Sequence, residues 1–254
     1  AFDNCSSLQY NIYENGNYLG NTNNPYVVLM KGIDNSVASY KVNESCNVIY
    51  ENALSGFSKL TNIDIPYSIT YIGSNAFSLC SSLESFTIPN LVKYFDASWF
   101  YYCTNLQSIT LSANIEMVSI GYMYGCDSFS EFDVYSTNAK FSARDGVLYT
   151  KDLKTLLAYP IAKEGNNFDI PSYVETIATY AFNGCKYLKA LTMWSSIDKL
   201  LSSSVINCDF LHTLYFKGTM SEWIKLDNAN LGWDHSFAIT KVICSDGVLN
   251  RGKA

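Results

Sequence analysis

Residues 76–86 read AFSLCSSLESF, and residues 99–109 read WFYYCTNLQSI, the same spacing of large, cysteine and aliphatic positions 23 residues later. Cys80, Cys103 and Cys126 stand 23 residues apart, as do Cys185 and Cys208, and Phe57 holds the same phase one period before Cys80. Counted from these six positions, offset +3 holds Leu60, Leu83, Leu106, Phe129, Leu188 and Leu211. Offset +6 holds Ile63, Phe86, Ile109, Phe132, Leu191 and Leu214, and offset +8 holds Ile65, Ile88, Leu111, Val134, Met193 and Phe216. Every slot is large and apolar in a chain that is only 48% hydrophobic, so the pattern is not chance. A fixed period of this length carrying Leu-x-x-Ile-x-Ile specifies a solenoid.

Within each unit, apolar +6 and +8 alternate with polar +5 and +7, the period of a half-buried strand. Each coil therefore lends one short strand to a parallel sheet. Pro66, Pro89 and Pro171 share a phase just beyond it, and a residue that cannot donate a ladder bond ends the strand there. Inward residues follow, such as Ile69 and Ile72 or Val92 and Phe95, and then an Ala-Phe pair (Ala76-Phe77, Ala181-Phe182) leads into the next cysteine. No coil has two buried faces of its own, so stability must come from stacking.

The reading is a single solenoid domain over 1–254, of about eight coils, with three departures from the period. Residues 12–45 form an irregular coil whose two apolar runs around an Asn-rich turn read as a β-hairpin. From Val134 to Ile170 the spacing is 36 rather than 23, and DGVLYTKDLKTLLAYP supplies a second hairpin within 135–165, turning near Lys151-Asp152. Residues 217–254, with Trp223 and Trp233, leave the phase and read as a C-terminal cap. The opening AFDNCSSL aligns Ala1, Phe2, Cys5 and Leu8 with Ala76, Phe77, Cys80 and Leu83. The chain thus starts mid-coil, and a signal peptide or further residues are expected to have been removed ahead of it.

These residues carry a family resemblance. IPYSITYIGSNAFSLCSSLESFTIP (65–89) resembles, nearly position for position, the repeat unit of BspA-like leucine-rich repeat proteins, and DGVLYTKDLKTLLAYP and KGTMSEW resemble segments that accompany it. Trp99 for Ala, Ser112 and Trp194 for Pro, and Phe57 for Cys are the departures. The resemblance implies a curved, right-handed leucine-rich repeat solenoid of the α/β superhelix class, with short parallel strands, turns and short helical or 3-10 pieces. It implies a bacterial surface or secreted setting, roles in adhesion or recognition, and no catalytic residues to carry over.

Composition narrows the chemistry. A formal net charge of −6 with 16% charged residues gives no cationic footprint for nucleic acid or an anionic membrane, and no apolar run reaches a membrane span. No cofactor motif is present; LSSSVIN (201–207) lacks a nucleophile elbow and YLGNTNN lacks phosphate-loop spacing. The eight cysteines admit a disulfide reading in a secreted chain. However, Cys5, Cys80, Cys103, Cys126, Cys185 and Cys208 share the slot where Phe57 substitutes, which favours a ladder of buried free thiols acting as filler. Cys46 shares the phase of Ile69 and reads as core, while Cys244 is left open. Without Cys-x-x-Cys pairs or clustered His, no metal site is expected. His212 and His235 are the only histidines, and a Cys208–His212 dyad is outweighed by a surface reading of His212.

The exposed strand positions are the candidate binding residues: Asp64, Thr87, Thr110, Asp133, Asp169, Thr192 and Tyr215 at +7, with Glu131 at +5. They are expected to form continuous ridges with steps of about 4.8 Å. Such ridges also keep a strand face soluble. The functional reading is a concave recognition surface for a protein or glycan, and Trp99, Tyr101, Tyr102, Tyr122 and Tyr124 are a second candidate patch. The function expected is a non-catalytic secreted or surface-displayed recognition module; the alternative is a spacer within a longer exported protein.

Overall fold

The computed structural model describes residues 9–121, 123–230 and 238–250. The chain winds into a leucine-rich repeat solenoid of about eight turns, with parallel strands about 23 residues apart and few helices. Each turn supplies one strand after the cysteine slot, forming a front ladder, and one after the Pro turn, forming a back ladder. The Ala-Phe turn closes the circuit along a third edge.

The first block holds β1 (Asn11–Tyr13), β2 (Gly16–Leu19), β3 (Val28–Gly32), β4 (Ser39–Lys41), β5 (Val48–Ile49), β6 (Asn62–Asp64) and β7 (Tyr71–Ile72). Its front ladder is β4-β6 and its back ladder β1-β2-β3-β5-β7. The second block holds β8 (Ser85–Thr87), β9 (Tyr94–Asp96), a 3-10 turn Ala97–Phe100, β10 (Ser108–Leu111), β11 (Met117–Ser119) and β12 (Glu131–Val134). Here β8-β10-β12 is the front and β9-β11 the back.

The third block opens with β13 (Phe141–Arg144), β14 (Val147–Thr150) and β15 (Thr155–Ala158). It continues through β16 (Asn167–Asp169), β17 (Thr176–Ile177), β18 (Phe182–Asn183), β19 (Ala190–Met193), β20 (Lys199–Leu200), β21 (Val205–Ile206) and β22 (Thr213–Phe216). After helix α1 (Met220–Asn230) come β23 (Lys241–Cys244) and β24 (Gly247–Asn250). The front ladder is β16-β19-β22-β23-β24, the back ladder is β13-β14-β15-β17-β20, and β18 pairs with β21 along the turn edge.

Three expectations need correction. The irregular coil read as 12–45 ends by Gly32, because β4 is an ordinary rung, parallel to β6 with Ser39 opposite Asn62 and Lys41 opposite Asp64. Asp34 in the cysteine slot hid this coil; it is exposed and its carboxylate accepts from the Ser36 amide at 2.8 Å. The segment is also a three-stranded meander and not a hairpin. The 135–165 insertion likewise has three antiparallel strands: besides the turn at 151–154, Asp145-Gly146 makes a second one, with φ of 49° and 72°. Its last strand, β15, is a back-ladder rung parallel to β17. Buried Asn138 fixes the entry: its amide donates to the carbonyls of Ser112 (2.8 Å) and Ile115 (3.1 Å), and its oxygen accepts from the Lys140 and Phe141 amides.

In the tail, α1 begins with a capping box: the Glu222 carboxylate accepts from the Thr219 amide (2.7 Å), and the Glu222 amide donates to Thr219 Oγ1 (3.2 Å). Trp223 is buried and packs on Phe216 with ring centroids 5.4 Å apart. Contrary to a tail that simply leaves the repeat, β23 extends the front ladder in register with β22, and β24 turns back antiparallel at its edge. Trp233 and His235 lie outside the described residues.

The cysteine slot is apolar and buried, and it also does hydrogen-bonding work that filler would not. Cys80, Cys103, Cys126, Cys185 and Cys208 are at most 1% exposed, and the described cysteines form no disulfide; Cys5 lies outside the described residues. The Cys103 thiol donates to the Phe77 carbonyl at 3.1 Å, Cys126 to Phe100 at 3.0 Å, Cys80 to Leu54 at 3.3 Å and Cys208 to Phe182. Each acceptor lies 26 residues back, on the turn of the preceding coil. The Phe77 carbonyl already accepts the Cys80 amide of its own coil (3.2 Å). Its second lone pair, cut off from water, is met by a thiol from the next coil. Replacing Cys103 with Ala removes both volume and donor, and is expected to cost about 1–2 kcal/mol. α-Aminobutyrate at position 103 puts a methyl in place of the thiol, nearly keeping the volume and losing only the donor, so denaturant unfolding of the two variants separates the contributions; wild-type stability for the α-aminobutyrate variant would dismiss the bond.

The residue before each slot is left-handed: Gly56, Gly125, Gly184 and Asn207 have φ of 83°, 74°, 72° and 55°. Leu79 and Tyr102 adopt the same conformation at 60° and 59°. For a residue with a Cβ this costs roughly 1–2 kcal/mol. Leu79 is half exposed, so Leu79→Gly forfeits little burial and is expected to raise the melting temperature by about 2–4 °C, measured calorimetrically.

Candidate functional site

The described thiols of the cysteine slot are buried within the stack, and those of Cys80, Cys103, Cys126 and Cys208 are held by backbone carbonyls. Burial pushes the Cys80 and Cys126 thiols up to about 12, and Cys103 upward for the same reason, the opposite of what a reactive thiol needs. Cys208 donates to the Phe182 carbonyl, whereas His212 is exposed with Nδ1 3.1 Å from the Ala238 carbonyl oxygen. The imagined dyad has its two members engaged elsewhere.

The front face carries the candidate binding residues, but not as one ridge. Thr87, Thr110 and Asp133 stand side by side on β8, β10 and β12. Asp169, Thr192 and Tyr215 do so on β16, β19 and β22. Asp64 belongs to the first block, beside Lys41. Glu131 shares the exposed face of β12 with Asp133, in a shallow polar recess of about 280 Å³ that Lys163 and Asp145 help to line, the two paired at 3.1 Å. The expected continuity fails because the front ladder is interrupted twice, between β6 and β8 and between β12 and β16.

The two interruptions differ. At the second, the chain covers its own edge: the Phe132 amide donates to the Gly146 carbonyl (2.9 Å), and the Asp145-Gly146 turn lies so close to Glu131 that a Cβ on Gly146 would sit 3.3 Å from its Cγ. At the first, nothing in the described chain covers the edge. On the coil below, the Thr61 amide donates to Ala38 (2.8 Å) and Val42 to Asp64 (3.0 Å); on the coil above, Gln107 donates to Glu84 (2.7 Å) and Ile88 to Thr110 (3.0 Å). The equivalent bonds, Glu84 amide to Thr61 carbonyl and Ile65 amide to Thr87 carbonyl, are absent. The back ladder skips the same junction, since β7 and β9 do not pair.

The coils at this junction are held along the turn edge. Phe77 donates to the Trp99 carbonyl (3.0 Å) and Leu79 to Tyr101 (2.7 Å), and the rings of Phe77 and Phe100 stack 5.7 Å apart. Shut along the turns and open at the front, the junction forms a cleft of about 820 Å³, within the range of ligand sites. Asn62 and Asp64 line one wall, Ser85 and Thr87 the other, with Tyr67 and Tyr135 also lining it. Ile63 and Ile65, inner positions fully covered in most other coils, are only half-buried here. Glu44 and Asp64 are the charged residues of the lining.

The second candidate patch loses a member: Trp99 is 1% exposed, wedged against Phe95 and Phe100 at the turn core. Tyr101 and Tyr102 are exposed, and Tyr101 stacks on Tyr124 at 5.0 Å. Tyr122 lies outside the described residues.

The missing rungs can be read by amide hydrogen exchange. The Glu84 and Ile65 amides are expected to exchange at least tenfold faster than Thr61 and Ile88, their equivalents in paired coils; equal protection would close the gap.

Comparison with known proteins places the repeat. A family model described as BspA type Leucine rich repeat region matches in six copies, over residues 33–144 and 162–225. A leucine-rich repeat protein from Eubacterium ventriosum is 19% identical, with 82% of this chain and 72% of that one covered at a TM-score of 0.58. The pneumococcal vaccine antigen PcpA is 17% identical, covering 77% and 67%, at 0.53. A leucine rich cell surface protein from Faecalibacterium prausnitzii is 16% identical, covering 94% and 86%, at 0.47. No curated protein matches the chain.

Proposed function

The chain belongs to the BspA-type leucine-rich repeat family, and on that premise we propose that it is a non-catalytic recognition module, secreted or displayed at a cell surface, whose front face takes a protein or glycan partner. The carrying observation is the cleft between β6 and β8, which sets Asp64 and Thr87 into the walls of a concavity of ligand size. A solenoid that served only as a spacer has no use for an opened ladder. Buried thiols and a histidine turned to a backbone carbonyl support the absence of catalysis. The likeness to a vaccine antigen supports exposure outside the cell. Among the described residues no helix is long and apolar enough to cross a membrane.

Capture on a glycan array and on a panel of purified surface proteins tests this reading. The double variant Asp64→Lys, Thr87→Arg is expected to lose at least tenfold in capture with its melting temperature within about 2 °C, since both side chains are exposed. Reversing Asp133 and Asp169, which stand in other groups of the front face, is expected to change capture less than threefold. Wild-type capture by the Asp64/Thr87 variant, or no capture by any version, overturns the reading and leaves the spacer.

A further inference from the structure

We propose that the cleft takes an extended polypeptide segment, which enters as an additional strand between β6 and β8 and restores the missing rungs of the front ladder; this rests on the recognition reading and names its ligand class. Three features point to a strand. The first is the backbone. The carbonyls of Thr61 and Thr87 and the amides of Ile65 and Glu84 lack the partners that the same positions have in the coils below and above. Two facing edges left unpaired are a template for strand addition, and a polypeptide supplies donors and acceptors at the matching repeat. A sugar chain offers no such regular alternation.

The second feature is the floor. Ile63 and Ile65 are half-buried beside Phe86 and Ile88, so an inserted strand would set every second side chain against apolar surface. The third is charge: Glu44 and Asp64 line the cleft and, among the described residues, no Lys or Arg does, while Lys41, 4.0 Å from Glu44 and opposite Asp64 on β4, stands outside the lining and offsets part of that charge. Outward side chains of the segment would stand beside Asp64, so the partner alternates apolar with basic residues. The chain itself provides a precedent at its other interruption, where the Gly146 carbonyl, from a segment outside the ladder, accepts the Phe132 amide on the open edge of β12.

The test uses the whole protein and a fluorescein-labelled peptide, acetyl-Lys-Ile-Lys-Ile-Lys-Ile-Lys-amide. Anisotropy is expected to report saturable binding with Kd on the order of 100 μM or tighter, and hydrogen exchange to slow at least tenfold at Glu84 and Ile65 but not at Gln107. The same peptide N-methylated at its isoleucines keeps charge and apolar character but loses main-chain donors; it is expected to bind at least tenfold more weakly, as is the Glu-for-Lys peptide. The double variant Glu44→Lys, Asp64→Lys is expected to weaken the parent peptide by the same factor. Equal binding of the N-methylated peptide, protection at amides away from the cleft, or no saturation below 1 mM overturns strand addition. Protection of Glu84 by chito- or cello-oligosaccharides without any by the peptide would also overturn it, while leaving the recognition reading standing; array capture in the absence of peptide binding does the same.

Discussion

A buried turn carbonyl with two lone pairs to satisfy is the constraint on which this stack depends. The carbonyls of Leu54, Phe77 and Phe100 each accept an amide from their own coil three residues on. The remaining lone pair faces the next coil, where water has no access. A thiol meets it because sulfur is apolar enough for the core and still donates weakly. The slot therefore favours a thiol, although Phe57 fills it by volume alone, and the bonds from Cys80, Cys103, Cys126 and Cys208 each reach the turn of the neighbouring coil. This edge holds its spacing whatever the strands do, and that independence lets the front of the solenoid open between β6 and β8 without parting the core beneath.

The opening is local. Phe77, Phe86 and Phe100 form a continuous ring cluster across the junction, with centroid separations of 4.9–5.7 Å. The ladders on either side are intact, so the walls of the cleft are each braced by a paired strand. Preorganised walls lower the ordering cost of taking a ligand. Where a second opening occurs, the Asp145-Gly146 turn covers it, so the two interruptions of one ladder present different surfaces to solvent.

Much of this was legible in the residues. The +3, +6 and +8 slots located the inner side of the front strands, and Lys151-Asp152 marked a turn that exists. Other features were written in signals that periodicity outranked. Asp145-Gly146 is an ordinary two-residue hairpin signal, passed over in favour of the later turn. Asp34 in the cysteine slot made a regular coil look irregular, although Val37, Tyr40 and Val42 hold the apolar phase. Trp99 stands where its siblings are buried alanines, and the 3-10 turn Ala97–Phe100 keeps the larger ring inside against Phe95, which takes it out of the aromatic patch. The cleft had no signal at all. Asn62–Asp64 and Ser85–Thr87 both obey the repeat, and a sequence that specifies each coil does not state the distance between two of them.

The uneven bracing of the junctions also governs how the molecule would carry load. Within a block, a coil is fastened to its neighbour by two ladders and the turn edge; between residues 79 and 80 the ladders are missing and the turn edge carries the stack. Pulled along the stacking axis, the solenoid would yield there first, as a seam. A partner gripping both walls would act as a suture across that seam, so the strength of the attachment and the stiffness of the scaffold would rise and fall together.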